Sequence, residues 1–167
     1  AKLCIENSKF VNISAHSPGS ALFVDGGEVD ISNSVFEANT NAYSGGAIAV
    51  VKGTVNIDNS QFNHNQVNLR KQVVNNVLSH GQSRNIRKPD VSSHTGTQTI
   101  SKNSGGAIQI DRLASVSINQ CVFQNNSADW IGGTIASFGN LSLENSYMTN
   151  SDIDNQLAMG DIIYAQG

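Results

Sequence analysis

The segments VDISNSVF (residues 29–36) and VNIDNSQF (residues 55–62) are two copies of one template, and they decide the fold. Three further copies are LCIENSKF (3–10), VSINQCVF (116–123) and LSLENSYM (141–148). The first and third positions are always apolar, with a polar residue or cysteine between them, which is typical of a strand with one buried face. Because Phe10, Phe36 and Phe62 are spaced 26 residues apart, we predict a stack of about five coils of one repeat.

A second apolar segment, opened by glycine, recurs once in each coil. A glycine at a fixed position indicates a turn that needs a positive φ or passes close to the neighbouring coil. Copies of one strand can pair in parallel only if the chain makes a full circuit between them. The pattern therefore predicts an all-β, right-handed parallel β-helix. The segments are GSALFV (19–24), GGAIAV (45–50), GGAIQI (105–110), GGTIAS (132–137) and, less regularly, GDIIYA (160–165).

Stacking places each residue directly above its counterpart in the next coil, at a spacing of about 4.8 Å. One expected column is internal and consists of Phe10, Phe36, Phe62, Phe123 and Met148. A second column is rich in amides, which we expect to hydrogen-bond along the axis. Its members are Asn7, Asn33, Asn59, Gln120 and Asn145.

The composition limits the function classes that fit the chain. Its 167 residues, 38% of them hydrophobic, suffice for one domain. The net charge of −3 argues mildly against nucleic-acid binding, and no apolar run reaches the length of a membrane-spanning helix. The chain begins within a repeat and lacks the regions of a signal peptide, so residues 1–167 are expected to be a single β-helix fragment of a longer protein.

The two cysteines, Cys4 and Cys121, are expected not to form a disulfide with each other. They lie about three coils, or ~14 Å, apart, well beyond the ~7 Å limit between Cα atoms. Cys121 stands where other coils have serine, with intermolecular cross-linking as an alternative role. Neither cysteine is part of a paired Cys or His signature, so no metal or other cofactor is predicted.

Residues 66–103 interrupt coil three as a basic insertion. The insertion adds about 34 residues to the repeat and carries six basic residues against one acid, Asp90. Residues 67–79 favour a short amphipathic helix, with an irregular loop equally open. We expect the segment to contact an acidic receptor patch or sulfated glycan, or to be cleaved near Arg84 to Lys88, unless it is a solvated excursion without a role. The candidate contact residues are Arg70, Lys71, Arg84, Arg87 and Lys88.

Two short motifs recur in fixed phase on this coil. One is Gly-Gly-Ala-Ile, with Gly-Gly-Thr-Ile as a variant, and the other is Phe-x-x-Asn. Together they resemble the repeat of the chlamydial polymorphic membrane proteins, over nearly all of the chain outside the insertion. Coil one departs at Ile13, and coil five departs at Met148 and Ser151. The matching residues are Gly45, Gly46, Ala47, Ile48, Gly105, Gly106, Ala107, Ile108, Gly132, Gly133, Phe36, Asn39, Phe62, Asn65, Phe123 and Asn126.

The resemblance implies an autotransporter passenger at the cell surface, held in the outer membrane by a barrel in the full-length protein. It also implies an adhesive role toward a host-cell receptor, attributed in part to the motifs. Any solenoid needs such motifs to close, and we expect them to be mainly architectural, with adhesion left to outward side chains or the insertion. The alternative from another class is a structural spacer that forms a homo-oligomer by coil stacking.

A polysaccharide lyase or hydrolase is a further possibility, because parallel β-helices also carry such enzymes. Their chemistry needs acidic or basic groups clustered on adjacent coils. Asp25 and Asp111 are predicted at equivalent positions, but the coil between them has Val51 there. The chain is therefore predicted not to be an enzyme.

Overall fold

The computed structural model describes residues 1–41, 43–68, 104–149 and 162–166. These residues contain strands and turns only, and all of their strand pairs are parallel. The strands are β1 (Lys2–Glu6), β2 (Lys9–Val11), β3 (Ser14–Ala15), β4 (Leu22–Ser32), β5 (Val35–Glu37), β6 (Thr40–Asn41), β7 (Ile48–Asp58), β8 (Gln61–Asn63), β9 (Gln66–Val67), β10 (Ile108–Asn119), β11 (Val122–Gln124), β12 (Ser127–Ala128), β13 (Ile135–Ser137), β14 (Asn140–Glu144), β15 (Tyr147–Thr149) and β16 (Ile163–Ala165).

The strands of the described ranges form three sheets. The first has the order β1-β4-β7-β10-β13-β16, with β14 also paired to β10. The second has the order β2-β5-β8-β11-β15, and the third β3-β6-β9-β12. Because the chain visits each sheet in turn before it returns to the first, it winds as a parallel β-solenoid of about four turns. The predicted parallel β-helix is confirmed.

The register follows the repeat derived from the sequence. Phe36 pairs with Phe10 and with Phe62, 26 residues away on either side. Across the insertion, Phe62 pairs with Phe123. The aromatic rings stack with centroids 4.8 Å apart at each of these steps, and the rings of Phe36, Phe62 and Phe123 are fully buried. The column sits in the core beside inward valines and isoleucines of the first sheet.

The turn between the first and second sheets explains the exposed amide column. Its residues adopt the left-handed conformation, with φ between 45° and 52°, which asparagine tolerates better than most residues. Asn59 Nδ2 donates to Asn33 Oδ1, as expected, but Asn145 Nδ2 donates to Asn119 Oδ1 rather than to Gln120. The prediction of one continuous ladder here was wrong. What the residues of this column share is the left-handed backbone conformation of the turn, not an unbroken chain of side-chain hydrogen bonds. The column consists of Asn7, Asn33, Asn59, Gln120 and Asn145.

The predicted helix over residues 67–79 meets the described structure only at its start. Val67 belongs to strand β9, so that residue was wrongly assigned to a helix. The remainder of the predicted helix lies outside the described residues. Within the described part of the chain, no helix is long and apolar enough to span a membrane.

Candidate functional site: motif columns and outward surfaces

The asparagine of each Phe-x-x-Asn motif lies inside the solenoid. Asn39, Asn65 and Asn126 are each fully buried. The residue before each of them has a positive φ, between 51° and 55°, and this turn brings the asparagine side chain back toward the core after the inward phenylalanine. Asn39 Nδ2 donates to Asn65 Oδ1 at 2.9 Å, and Asn65 Nδ2 donates to Asn126 Oδ1 at 3.0 Å. The continuous amide ladder of this solenoid is therefore the buried one.

Asn65 uses the full hydrogen-bonding capacity of its amide, which has two donors and two acceptor lone pairs. Its Oδ1 accepts from the backbone N–H and from Nδ2 of Asn39. Its Nδ2 donates to the Phe36 carbonyl at 2.9 Å and to Asn126 Oδ1. The side chain thereby links coils two, three and four, and leaves no polar atom for a partner.

The two glycines of each Gly-Gly motif meet different demands. Gly45 has a φ of +61°, and a Cβ there would lie 2.2 Å from the carbonyl oxygen of Ile48. Gly46 has no such φ, but a Cβ there would lie 1.9 Å from the carbonyl oxygen of Gly106 in the next coil. The turn and the close approach expected from the sequence are thus divided between two neighbouring residues.

The rest of the Gly-Gly-Ala-Ile motif is also turned inward. Ala47 and Ile48 are fully buried, as are Ala107 and Ile108 one coil further. The backbone N–H groups of Ala47 and Ile48 both donate to the Ala107 carbonyl at 3.0 Å. Gly132 and Gly133 occupy the same turn in coil four, where both are buried. The structure therefore places every described motif residue where a protein partner cannot reach its side chain.

The serine column next to the exposed turns, in which Cys121 takes one place, forms hydrogen bonds with the backbone that the sequence analysis did not predict. Ser60 Oγ donates to the Asp58 carbonyl and accepts from the backbone N–H of Ser34. Cys121 takes the same place, and its thiol lies 3.2 Å from the Asn119 carbonyl. Burial raises the pKa of this thiol. The recurring Asn-Ser pair in the templates was the available signal.

Both cysteines are free, as the spacing argument predicted. Cys4 is exposed on β1, whereas Cys121 is buried in coil four. The burial of Cys121 makes it inaccessible to a second molecule in the folded chain, so it does not fit the alternative of intermolecular cross-linking.

Asp25 and Asp111 are not equivalent, and that prediction was wrong. Lys52 is the register partner of both Asp25 and Leu113, so Asp111 lies in a bulge that an extra residue near the end of coil three creates. Asp25 is exposed and forms an ion pair with Lys52, with 4.0 Å between Oδ1 and Nζ. The two carboxylates therefore have different surroundings and do not form a shared site. Within the described ranges, no group of three or more His, Cys, Asp or Glu residues is arranged to hold a metal ion.

Asp111 ends a short buried chain of polar side chains. Ser104 Oγ donates to Gln109 Oε1 at 2.5 Å, and Gln109 Nε2 donates to Asp111 Oδ1 at 3.1 Å. The other carboxyl oxygen, Oδ2, is buried without a hydrogen-bond partner. Burial raises the pKa of this carboxyl, while the bond from Gln109 opposes the shift.

The basic insertion leaves and rejoins the solenoid at one corner. Asn68 donates its backbone N–H to the Asn41 carbonyl at 3.0 Å. On the return side, the Ser104 carbonyl accepts from the N–H of Gly45, also at 3.0 Å. In coil two this corner spans only Asn41 to Ser44, so the insertion extends an existing turn. Its candidate contact residues, Arg70, Lys71, Arg84, Arg87 and Lys88, lie outside the described residues.

The outward face of the first sheet carries a shallow groove, which we call the polar groove. Its volume is about 300 Å³. The groove runs across β7, β10 and β14, whose outward residues are in register. It is lined by Thr54, Asn56, Ser115, Val116, Ser117, Asn140, Leu141 and Ser142.

Comparisons with known protein families, with curated proteins and with solved structures give no match for this chain. The likeness to the chlamydial polymorphic membrane proteins rests on the two motifs and their phase. The function must accordingly be inferred from the fold and from the surfaces that it displays.

Proposed function

We propose that this chain is part of a surface-exposed adhesin passenger, in which a rigid β-solenoid holds binding surfaces away from the cell that carries it. The resemblance to the chlamydial polymorphic membrane proteins supports this proposal, as does the repetitive parallel fold. In this proposal the protein is secreted to the cell surface and attaches to a host-cell receptor or glycan.

The observation that carries the proposal is the inward placement of both motifs. Asn65 has all its hydrogen bonds inside the solenoid, and Gly46 is packed against Gly106 of the next coil. The motifs thus build the scaffold, while the outward columns and the corner insertion are free to differ from coil to coil. A solenoid divided in this way is suited to display, because its contact surfaces can change without loss of the fold.

The insertion is the first contact surface to test. It has a net charge of +5 within a chain of net charge −3, and both of its ends are anchored at one corner. A basic segment attracts acidic partners, and salt screens this attraction. We therefore propose that it contacts a sulfated glycan or an acidic receptor patch.

The test compares the full chain with a variant in which residues 69–103 are replaced by one tyrosine. That variant copies the corner of coil two, where only Tyr43 separates the two equivalent positions. We expect saturable binding of the monomeric full chain to host cells and to heparin, weakened about tenfold or more in the variant and weakened by salt. Absence of saturable cell binding by the full chain would overturn the adhesive function. Unchanged heparin binding by the variant would overturn the role of the insertion.

A further inference from the structure

We propose that the polar groove binds a neutral, extended oligosaccharide. This inference rests on the proposed adhesive function in one respect only, which is that the chain is treated as a binding module. It concerns a surface of the solenoid itself, and the ligand is uncharged, unlike the acidic partner inferred for the insertion.

The lining of the groove consists mainly of short side chains that end in a hydroxyl or amide group and expose their carbon stems beside it. Two outward columns run across it, one of Thr54, Ser115 and Asn140 and the other of Asn56, Ser117 and Ser142. The repeat along the axis equals the coil spacing, which the stacked phenylalanines give as 4.8 Å. An extended chain that lies along the axis would therefore meet a pair of hydroxyl or amide side chains at every coil.

Several of these groups are open for a ligand. The hydroxyls of Thr54, Ser117 and Ser142 are exposed and form no hydrogen bond to any other described residue. Ser115 Oγ accepts from Asn140 Nδ2 at 3.2 Å, which leaves the Ser115 proton and the Asn140 oxygen available. Sugar hydroxyls both donate and accept hydrogen bonds, so they match side chains that do the same.

The charges around the groove disfavour an anionic ligand. Toward coil one, the same columns contain Lys2, whose ammonium is paired with Glu28 at 3.1 Å and Asp30 at 2.7 Å. The next outward column contains Asp58 and Glu144, both exposed. The groove thus offers no free cation among its lining residues and has carboxylates beside it. On the other side of the groove lie the exposed cations Lys52, which pairs with Asp25, and Arg112. An anionic chain would therefore find no cation in the lining to pair with and an acidic column beside it, whereas a neutral chain needs no ion pair.

The shape and composition of the groove also favour a sugar over a protein as its ligand. Protein interfaces are anchored by aromatic residues or arginines in desolvated pockets. The groove is shallow and has neither residue type among its lining side chains. Its two apolar members, Val116 and Leu141, belong to inward positions of the strands, so they form part of the floor. An uncharged polymer with hydroxyls along one face fits this surface better.

The test uses the full chain and immobilised neutral β-linked oligosaccharides, namely cello-oligosaccharides and fully N-acetylated chito-oligosaccharides, with heparin oligosaccharides as the anionic comparison. The blocking variant is Ser117→Tyr, which fills the groove with a side chain favoured in strands. The matched control is Gln124→Tyr, because Gln124 is exposed on β11 of the same coil but belongs to the second sheet. A double variant, Thr54→Ala with Ser142→Ala, removes two hydroxyls without adding bulk.

We expect saturable binding of a neutral oligosaccharide, weakened about tenfold or more by Ser117→Tyr and by the double variant, and unchanged by Gln124→Tyr. The variant lacking residues 69–103 should bind the same oligosaccharide as the full chain does. Binding of none of the neutral oligosaccharides, or binding unaffected by Ser117→Tyr, would overturn the proposal. If neutral sugars bind in the groove while the chain fails to attach to cells, the adhesive function fails and this inference stands.

Discussion

Asn65 has the largest number of defined hydrogen bonds of the three ladder asparagines. Replacing it with alanine removes the hydrogen bond to the Phe36 carbonyl and the acceptor of the Asn39 N–H. It also takes one partner from each of the side-chain amides of Asn39 and Asn126, which keep their bonds to the Phe10 carbonyl and to the residue 65 N–H. A buried polar group that loses its partner lowers the free energy of unfolding by about 1–3 kcal/mol, and relaxation of the surrounding structure recovers part of this loss. We expect Asn65→Ala to lower the free energy of unfolding by about 2–4 kcal/mol, measured by urea denaturation.

The matched control for Asn65→Ala is Gln61→Ala in the same coil. Gln61 has the same side-chain amide, is exposed on β8, and should change stability by less than about 0.5 kcal/mol. Equal stability of the two variants would show that the buried ladder does not hold the coils together.

Cys121→Ser tests whether the serine column is a backbone-capping device. The thiol already occupies the serine position and approaches the Asn119 carbonyl in the way that Ser60 approaches Asp58. A serine hydroxyl forms this bond more strongly but is less apolar, so we expect the midpoint of thermal unfolding to change by only a few degrees. Cys121→Val keeps the bulk without the polar atom and should be the less stable variant. A serine variant that fails to fold would contradict this reading of the column.

Asp111 should make stability depend on pH in an unusual direction. Because burial raises the pKa of its carboxyl in the folded chain, the folded state binds this proton more tightly than the unfolded state does. Stability is then greatest below the ordinary carboxyl pKa and falls as pH rises through the raised value. We expect Asp111→Asn to remove this fall, so that its stability relative to wild type increases from acidic to neutral pH.

The measurement for Asp111 is urea denaturation of wild type and Asp111→Asn across that pH range. Asp25→Asn serves as the control, since Asp25 is exposed and paired with Lys52 at the surface. A constant difference between wild type and Asp111→Asn over the whole range would contradict the account of a carboxyl whose pKa is raised by burial.

At the scale of the elements, strands β9 and β10 should pair with their neighbours whether or not the insertion is present. Gln66 and Val67 pair with β6 and β12, and Ser104 is bridged to Ser44 and Ile131. Replacing residues 69–103 with one tyrosine brings Gly45 and Gly105 to a spacing of 26 residues and shortens the loop that folding must close. We expect the variant to unfold at the same or a slightly higher temperature, with an unchanged far-ultraviolet β signal. Loss of that signal would mean that the insertion is part of the scaffold.

The positions of the strands were predictable where the repeat has a constant length, and less predictable where a coil contains an extra residue. The spacing of the phenylalanines predicted the register of β2, β5, β8 and β11, because a buried aromatic column tolerates no shift of one residue. The bulge at Asp111 was not predicted, because it depends on how an extra residue is absorbed between two strand segments. Similarly, the exposed amides looked like a ladder in the sequence, but their column is set by a positive φ.

At the scale of the whole molecule, the fold follows from repetition, whereas the binding surfaces do not. One template repeated five times specifies the same strand, turn and glycine at each level, and stacking then fixes the architecture. The polar groove involves outward residues that share no motif. Thr54, Ser117 and Ser142 stand out only once the register brings them together. The sequence therefore predicted the motif columns by residue, but it offered no signal for the groove.

The central claim is that the repeated motifs build the solenoid and that other surfaces bind. The most direct test measures total cell binding of Asn39→Ala and Gly46→Ala, with circular dichroism recorded on the same samples. The account predicts that binding falls only in proportion to the loss of β signal, since both residues are buried and hydrogen-bonded or packed against the next coil. Binding abolished while the β signal and the unfolding temperature stay at wild-type values would contradict it.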